Sequence, residues 1–225
     1  MRFELNKIYN MDCMEAMKEI PDKYFELAIV DPPYGIGVGT MAYTNGVAKV
    51  GNALANRTDY RHENWDVKPC KEYFDELKRI SKAQIIWGGN YFSDILPSTK
   101  SWIVWDKRTD DRYTNDFADC ELAWCSNGVA RVFRYLYNGM IQGDMKNKEK
   151  RFHPTQKPIQ LYKWLLMNYA KQGDKILDTH VGSASSFIAA YDMGFDILGF
   201  ELDKDYFDAA NKRINEHKQQ IRMEL

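Results

Sequence analysis

Short apolar segments alternate with amphipathic segments along most of the chain, and this alternation restricts the possible folds more than any other feature. Short apolar runs indicate buried strands, whereas longer runs with apolar side chains every three or four positions indicate helices. Strands that alternate with helices form a mostly parallel sheet covered by helices on both faces. The sequence therefore predicts an α/β fold.

The predicted elements occupy most of the chain. The strands are expected at residues 7–10, 25–30, 83–87, 101–105, 175–177 and 196–200. The helices are expected at about residues 13–20, 70–82, 159–170, 184–193 and 204–218. Segments 121–125 and 130–134 flank Asn127-Gly128, a strong signal for a hairpin turn. This hairpin predicts one antiparallel strand at an edge of the sheet, which large α/β sheets often have.

The composition fits one globular domain that spans residues 1–225. The chain is 44% apolar and 28% charged, and its 225 residues are enough for a substantial core. No apolar run is long enough to span a membrane, and the first residues carry charges where a signal peptide needs apolar side chains. We therefore expect a cytoplasmic protein with no membrane contact.

Cysteine and histidine residues give no sign of a metal site. The four cysteines form no CxxC pair, and the four histidines are scattered along the chain. We expect reduced cysteines and no bound metal. The basic residues at 146–157 are candidates for contact with phosphate groups, although a solvated face explains them equally well.

Acidic residues stand at or just after the ends of predicted strands, at Asp12, Asp31, Asp178 and Glu201. Ligands of open α/β sheets bind beyond the carboxyl ends of the strands. One acidic residue at such a place has little meaning, because Asp also favours turns. Four of them at equivalent positions predict a shared crevice at this edge of the sheet.

The segment Asp31-Pro32-Pro33-Tyr34 follows a predicted strand and is the sharpest signal of chemistry in the chain. The two prolines restrict the backbone and hold the Asp31 carboxylate and the Pro32 carbonyl rigidly. Two such acceptors can hold the N–H groups of an exocyclic base amine, whose nitrogen becomes positive in the transition state. Tyr34 offers an aromatic face for base stacking. The alternative is a proline turn that ends a strand, followed by a packed tyrosine.

This tetrapeptide resembles the catalytic motif of the DNA amino-methyltransferases, which methylate adenine N6 or cytosine N4. The segment at 152–158, FHPTQKP, is similar to the family segment that lies near the cofactor, S-adenosylmethionine. The resemblance implies cofactor-binding roles for Thr155, Gln156 and Lys157. It also implies that Asp31 borders the cofactor as well as the target base.

The segment at 178–185 resembles the cofactor loop of the same family, usually written DPFxGSGT. Asp178, Gly182 and Ser183 match this pattern, whereas Thr179, His180 and Ala184 replace its proline, phenylalanine and second glycine. Glycine allows the backbone to approach a ligand closely at a strand-to-helix turn. The departures favour an alternative in which the chain is a non-catalytic subunit that binds the cofactor or nucleic acid.

Glu201 and the pair Asp12-Cys13 also resemble segments of the family. Glu201 corresponds to the acid that binds the ribose hydroxyls, and it follows Asp178 by about the interval found in dinucleotide-binding folds. Asp12 and Cys13 correspond to the segment that contacts the adenine of the cofactor. For Asp12, capping of a helix is an equally good explanation.

The order of the segments, with the catalytic tetrapeptide before the cofactor loop, is that of the β-type members of the family. The resemblance implies a Rossmann-like sheet of seven mostly parallel strands, a DNA substrate whose target base is flipped out of the duplex, and a possible homodimer. A role in restriction-modification is one of several that fit such a protein. Asp at the first motif position favours adenine N6, and cytosine N4 is the alternative.

DNA contacts are expected in two regions. The loop at 35–66 mixes basic and aromatic residues, namely Tyr43, Lys49, Arg57, Tyr60 and Arg61. In the family, target recognition lies between the catalytic and FHPTQKP segments, which corresponds here to a short region at 107–151. The basic residues of that region include Lys107, Arg108, Arg112, Arg131 and Arg134. Mobile surface loops are the alternative explanation of both regions.

Overall fold

The computed structural model describes residues 2–37, 49–50, 53–54, 66–108, 118–138, 141–153 and 155–224. Its strands are β1 (Lys7–Asn10), β2 (Phe25–Val30), β3 (Lys49–Val50), β4 (Ala53–Leu54), β5 (Ser81–Trp87), β6 (Trp102–Asp106), β7 (Cys120–Cys125), β8 (Arg131–Arg134), β9 (Tyr137–Asn138), β10 (Ile141–Gln142), β11 (Lys175–Asp178) and β12 (Asp196–Glu201). Its helices are α1 (Cys13–Lys18), α2 (Lys71–Ile80), α3 (Ile159–Tyr169), α4 (Ser185–Met193) and α5 (Lys204–Glu224), with a 3₁₀ helix at Gly89–Phe92. The predicted elements agree with these bounds to within a few residues, except that α5 extends well beyond its predicted end.

The main sheet of the described residues has eight strands in the order β1-β12-β11-β2-β5-β7-β6-β8. The strands from β1 to β5 in this order are parallel to one another. β7 is antiparallel to both of its neighbours, and β8 is parallel to β6. The predicted α/β fold with a mostly parallel sheet is confirmed, with eight strands where seven were expected.

The predicted hairpin between segments 121–125 and 130–134 is wrong. β6 lies between β7 and β8, and the antiparallel strand is therefore internal rather than at an edge. Burial explains this order, because β7 carries the buried residues Ala123, Trp124 and Cys125 and needs a neighbour on both sides. The side chains of β8 are mostly exposed, which suits the edge position that this strand occupies.

Helices cover both faces of the sheet, as predicted. Successive residues of a strand point to opposite faces, and on β2 the buried Leu27 and Ile29 face one core while Ala28 and Val30 face the other. The first core includes residues of α3, α4 and α5, and the second includes residues of α1 and α2. In the described parts of the chain, no helix combines the length and apolarity needed to cross a membrane.

The parallel strands end together at one edge, where the chain positions its polar residues. Asn10 at the end of β1 pairs with Glu201 at the end of β12, and Asp178 at the end of β11 pairs with Gly199. Asp31 directly follows β2, which is the next strand along the sheet. The carboxyl edge of the sheet therefore brings together four segments that are far apart in the sequence.

Candidate active site

A cavity of about 690 Å³ lies at the carboxyl edge of the parallel strands. Its size is in the range of small-molecule and cofactor sites. The residues predicted from the sequence to form the site line this cavity, with the exception of Asp178. They are Asp12, Cys13, Asp31, Pro32, Pro33, Tyr34, Thr155, Gln156, Lys157, Gly182, Ser183 and Glu201.

Asp31 lies in the wall of the cavity, with a side chain that is only 13% exposed. Its Oδ1 accepts a hydrogen bond of 2.7 Å from the Tyr34 hydroxyl, and its Oδ2 accepts one from the Lys157 ammonium. Burial raises the pKa of Asp31 above its usual value, although the nearby Lys157 ammonium opposes this effect. The carboxylate is thus a desolvated acceptor that is held in one orientation by two donors.

The Tyr34 ring is fixed between neighbouring residues. It stacks on Tyr91 of the 3₁₀ helix, with ring centroids 5.0 Å apart and an angle of 21° between the planes. Gly88 lies against another part of the ring, so close that an added Cβ would be 2.2 Å from Tyr34 Cε1. Gly88 also has a φ of +70°, which disfavours other residues. A glycine is therefore required at position 88 for Tyr34 to keep this position.

Lys157 is a buried cation between two carboxylates. Its side chain is 2% exposed, and its ammonium contacts Asp31 as well as Glu121, the latter at 3.2 Å. Burial alone would lower the pKa of Lys157, but the two carboxylates outweigh this effect and the pKa lies above its usual value. The ammonium also lies 5.5 Å from the centre of the Trp87 ring. Lys157 therefore stays charged and partly neutralises the carboxylates of Asp31 and Glu121.

The loop after β11 forms another wall. Asp178 is 1% exposed and lies beneath this loop, where it accepts hydrogen bonds from Ser186 Oγ at 2.5 Å and the His180 amide at 3.1 Å. Burial raises the pKa of Asp178 to about 7. The geometry gives Asp178 a role in shaping the loop, because its side chain does not line the cavity as the resemblance implied.

Glu201 lies at the end of β12 on the same wall. Its Oε2 accepts a hydrogen bond of 2.8 Å from the Gly182 amide, and its Oε1 accepts one of 3.0 Å from the Asp203 amide. Burial raises the pKa of Glu201 above its usual value, although these amides oppose it. The carboxylate fixes the loop and still borders the cavity.

Asp12 and Cys13 border the cavity at the start of α1. Asp12 caps this helix, because its Oδ1 accepts a hydrogen bond of 2.8 Å from the Met14 amide. Burial raises the pKa of the Cys13 thiol to about 12, and the Asp12 carboxylate adds to the rise. Cys13 is therefore a neutral residue in the wall of the cavity. Asp12 both caps α1 and borders the cavity.

Thr155 and Gln156 of the FHPTQKP segment are held by different contacts. Thr155 Oγ1 lies 3.2 Å from His153 Nδ1, and the His153 ring packs on Tyr206 with centroids 4.3 Å apart. Burial lowers the pKa of His153 to about 3, so that the ring is neutral. Gln156 donates from Nε2 to the Tyr137 hydroxyl at 3.3 Å, and its buried side chain holds the segment in place.

Sequence reasoning missed Glu121, Gly88 and Tyr91, which contact the predicted residues directly. Gly88-Gly89 directly after a predicted strand was a usable signal, since a glycine at such a point marks a close approach of other atoms. Glu121 carried no comparable signal, because its contact with Lys157 depends on the position of β7 within the sheet.

A comparison with protein families decides what kind of protein this is. The model of a family described as DNA methylase matches residues 94–212, which is more than half of the chain. The chain belongs to this DNA methylase family. The tetrapeptide at 31–34 lies before the matched segment in the sequence.

Individual relatives and solved structures extend over nearly the whole methylase. The type II methyltransferase M.HinfI of Haemophilus influenzae is 26% identical to it, over 95% of this chain and 69% of the relative. M.HpaI of Haemophilus parainfluenzae is 23% identical, over 91% and 72% of the two chains. The structure of the M1.HpyAVI–SAM complex is 20% identical to this chain with a TM-score of 0.58, and the match covers 92% of this chain and 98% of that one. The structure of the cytosine-N4-specific PvuII DNA methyltransferase is 12% identical with a TM-score of 0.58, and the match covers 96% of this chain and 92% of that one. These two structures show that the methylase shares their fold.

The regions expected to contact DNA are described only in part. Tyr43, Arg57, Tyr60, Arg61 and Arg112 lie outside the described residues, as does the Lys49 side chain. Lys107 forms an ion pair with Glu121 at 3.2 Å, and Arg108 forms one with Asp119. Arg131 and Arg134 of β8 are exposed, as are Lys146, Lys148 and Lys150. Arg134 also lies 3.4 Å from Asp106. Lys157, one of the basic residues at 146–157 that were candidates for contact with phosphate groups, is buried against Asp31 and is not available for such contact. The exposed cations remain candidates for it. Among the described residues, no cluster of His, Cys, Asp and Glu could hold a metal ion.

Proposed function

We propose that this DNA methylase transfers a methyl group from S-adenosylmethionine to the exocyclic N6 of adenine in DNA. The observation that carries the proposal is the position of Asp31, whose carboxylate borders the same cavity as the loop after β11. Two sites that a methyl transfer must join, an acceptor for the amine and a loop for the cofactor, thus share one space. Asp as the first residue of the tetrapeptide supports adenine rather than cytosine as the target.

The cavity wall suits a nucleoside cofactor. S-adenosylmethionine, the methyl donor of this family, supplies a sulfonium methyl group when bound. Glu201 offers a carboxylate for ribose hydroxyls, and Met11 and Leu202 add apolar surface beside it. Leu202 is 71% exposed although it borders the cavity, so that it can cover an aromatic ligand. We assign the cofactor side of the cavity to this wall, with Gly182 and Ser183 providing close backbone approach.

Asp31 and its neighbours would act on the amine. The amine is a poor nucleophile because its lone pair is delocalised into the ring, and acceptors for its N–H groups help the nitrogen to become tetrahedral. In the structure the Tyr34 hydroxyl donates to Asp31 Oδ1. A carboxylate oxygen has two lone pairs, so Asp31 would accept one amine N–H while it keeps its bond from Tyr34, and the Pro32 carbonyl would accept the second N–H. Such a base must first leave the duplex.

Methylation with labelled S-adenosylmethionine tests the proposal. Unmethylated DNA of mixed sequence is incubated with the methylase and digested to nucleosides, and the label should appear in N6-methyladenine nucleoside. Label in N4-methylcytosine nucleoside would contradict the choice of base. Absence of label, together with tight cofactor binding, would favour the non-catalytic subunit instead.

Replacement of Asp31 by alanine should lower kcat by at least about 100-fold and leave cofactor binding nearly unchanged, because a preorganised acceptor acts mainly in the transition state. Asp22→Ala is the matched control. Asp22 forms an exposed ion pair with Arg79 at 2.7 Å and precedes β2, at the opposite edge of the sheet. An Asp31→Ala variant with the kcat of the Asp22→Ala variant would contradict the role of Asp31.

A further inference from the structure

Glu121 lies on β7 beside the candidate active site, outside all the segments that resemble family motifs. Its Oε2 is 3.2 Å from the Lys157 ammonium, and its Oε1 is 3.2 Å from the Lys107 ammonium. The Lys157 ammonium also contacts Asp31. Glu121 and Asp31 therefore share one buried cation.

The charges alternate along a row formed by Asp31, Lys157, Glu121 and Lys107. A buried ammonium needs anionic partners because its own desolvation is costly, and here it has two. Without the charge of Glu121, Lys157 would pair with Asp31 alone. That tighter pair would weaken Asp31 as an acceptor for a further N–H group, since the carboxylate charge would be more fully neutralised.

We propose that Glu121 is a positioning residue for amine methylation, which holds the Lys157 ammonium in place and keeps it from neutralising Asp31. This inference rests on the proposed function, because it takes Asp31 as the acceptor for the amine. Glu121 contacts Asp31 only through Lys157, and its side chain is 28% exposed.

Lys157 and Glu121 change the pKa of Asp31 in opposite directions. Burial is the largest influence and raises the pKa of Asp31, the Lys157 ammonium lowers it, and the Glu121 charge raises it. Other titratable groups face the row from the surrounding elements, namely Tyr34, Tyr73, Tyr162 and Asp178 near Asp31, and His153 near Lys157. Loss of the Glu121 charge should thus lower the pKa of Asp31, whereas loss of the Lys157 charge should raise it. A merely structural role predicts no such opposition.

The test compares Glu121→Gln, Glu121→Asp and Lys157→Gln in the full chain. The pH dependence of kcat/KM is measured with labelled S-adenosylmethionine and DNA, and its acidic limb includes the ionisation of Asp31 together with that of Asp178, whose pKa is also raised. Carbon-13 NMR of the Asp31 side-chain carboxyl, assigned by its loss in an Asp31→Asn variant, follows the ionisation of Asp31 alone and without any substrate. Glu26→Gln is the matched control, because Glu26 is 26% exposed and forms an ion pair with Lys82 at 2.9 Å, and it lies at the opposite end of β2 from Asp31.

Glu121→Gln should lower kcat by about ten-fold, since small displacements of catalytic groups are costly, and should move the acidic limb to lower pH. Lys157→Gln should move the limb to higher pH. Glu121→Asp keeps the charge and should recover part of the lost rate, and Glu26→Gln should change neither quantity.

An acidic limb and carboxyl titration that stay in place in Glu121→Gln, or that move in the same direction as in Lys157→Gln, would overturn the inference. If Glu121→Gln does not fold, the carboxyl titrations of Glu121→Asp and Lys157→Gln decide the matter, because the weakened contact with Lys157 must still displace the titration. Failure of the unaltered methylase to methylate DNA would instead refute the proposed function, and the NMR titrations would then still show whether Glu121 controls Asp31.

Discussion

Replacement of Gly88 by alanine should reduce methyl transfer by displacing the Tyr34 ring. The added Cβ would lie 2.2 Å from Tyr34 Cε1 and 2.5 Å from Cδ1, whereas ordinary contacts begin at 3.4 Å. The Gly88 amide donates to the Leu122 carbonyl at 2.9 Å, so the backbone is held by β7 and the ring must move by more than 1 Å. A displacement of about 1 Å in an active site costs on the order of 100-fold in rate, or roughly 2.7 kcal/mol.

Gly173→Ala separates this clash from backbone strain. Gly173 has a φ of +90°, and an added Cβ would meet nothing within 4 Å. Both variants should lose about 1–2 kcal/mol of unfolding free energy from the left-handed backbone. Gly88→Ala should lose about a further 1–3 kcal/mol from the clash with Tyr34, and only Gly88→Ala should lose kcat. The assays are steady-state methylation of DNA, calorimetric binding of S-adenosylmethionine, and urea unfolding. Equal kcat values for the two folded variants would refute the steric argument.

Two further predictions concern stability and are measured by urea unfolding. Because burial raises the pKa of Asp178 to about 7, the folded protein binds a proton there that the unfolded chain releases above about pH 4. Stability should therefore fall as pH rises from about 4 to 7, and Asp178→Asn should make the difference between pH 5 and pH 8 smaller by about 2–4 kcal/mol; an unchanged difference would contradict this. Arg213→Met breaks an ion pair with Glu149, in which the two side chains are 15% and 13% exposed. This change should lower the free energy of unfolding by about 3 kcal/mol. Lys204→Met breaks an exposed pair with Asp208 and should cost less than about 1 kcal/mol, so that similar losses in both would refute the reasoning.

The parts of the fold that follow from local sequence were predictable. The apolar residues of β2 and the prolines after it fix both a buried strand and its end at Asp31, and neither depends on distant residues. The acids at strand ends also predicted a common edge, because parallel strands that run in one direction must end together. The cavity lined by Asp31 and Glu201 follows from the same reasoning.

The parts that depend on distant partners were not predictable. The turn signal at Asn127-Gly128 was local and predicted that β7 pairs with β8. In the sheet the buried strand β7 lies between β5 and β6 instead. This order brings Glu121 to Lys157, although no spacing in the sequence relates the two. The contact between Gly88 and Tyr34 was hidden for the same reason, since it joins the ends of β5 and β2.

The loop at 178–185 departs from the family pattern at Thr179, His180 and Ala184, and its geometry accounts for these residues. Ala184 adopts φ 61° and ψ 23°, the left-handed conformation that glycine adopts most easily, and its methyl group is fully buried. The backbone thus follows a path that suits glycine, at a strain cost of about 1–2 kcal/mol. Thr179 forms a hydrogen bond of 2.7 Å with the Tyr73 hydroxyl, and the His180 ring packs edge-on against the same tyrosine. Tyr73 thus accommodates both substituted side chains, and residues 179–183 of the loop line the cavity. This favours an enzyme over a subunit that has lost the use of its cofactor site.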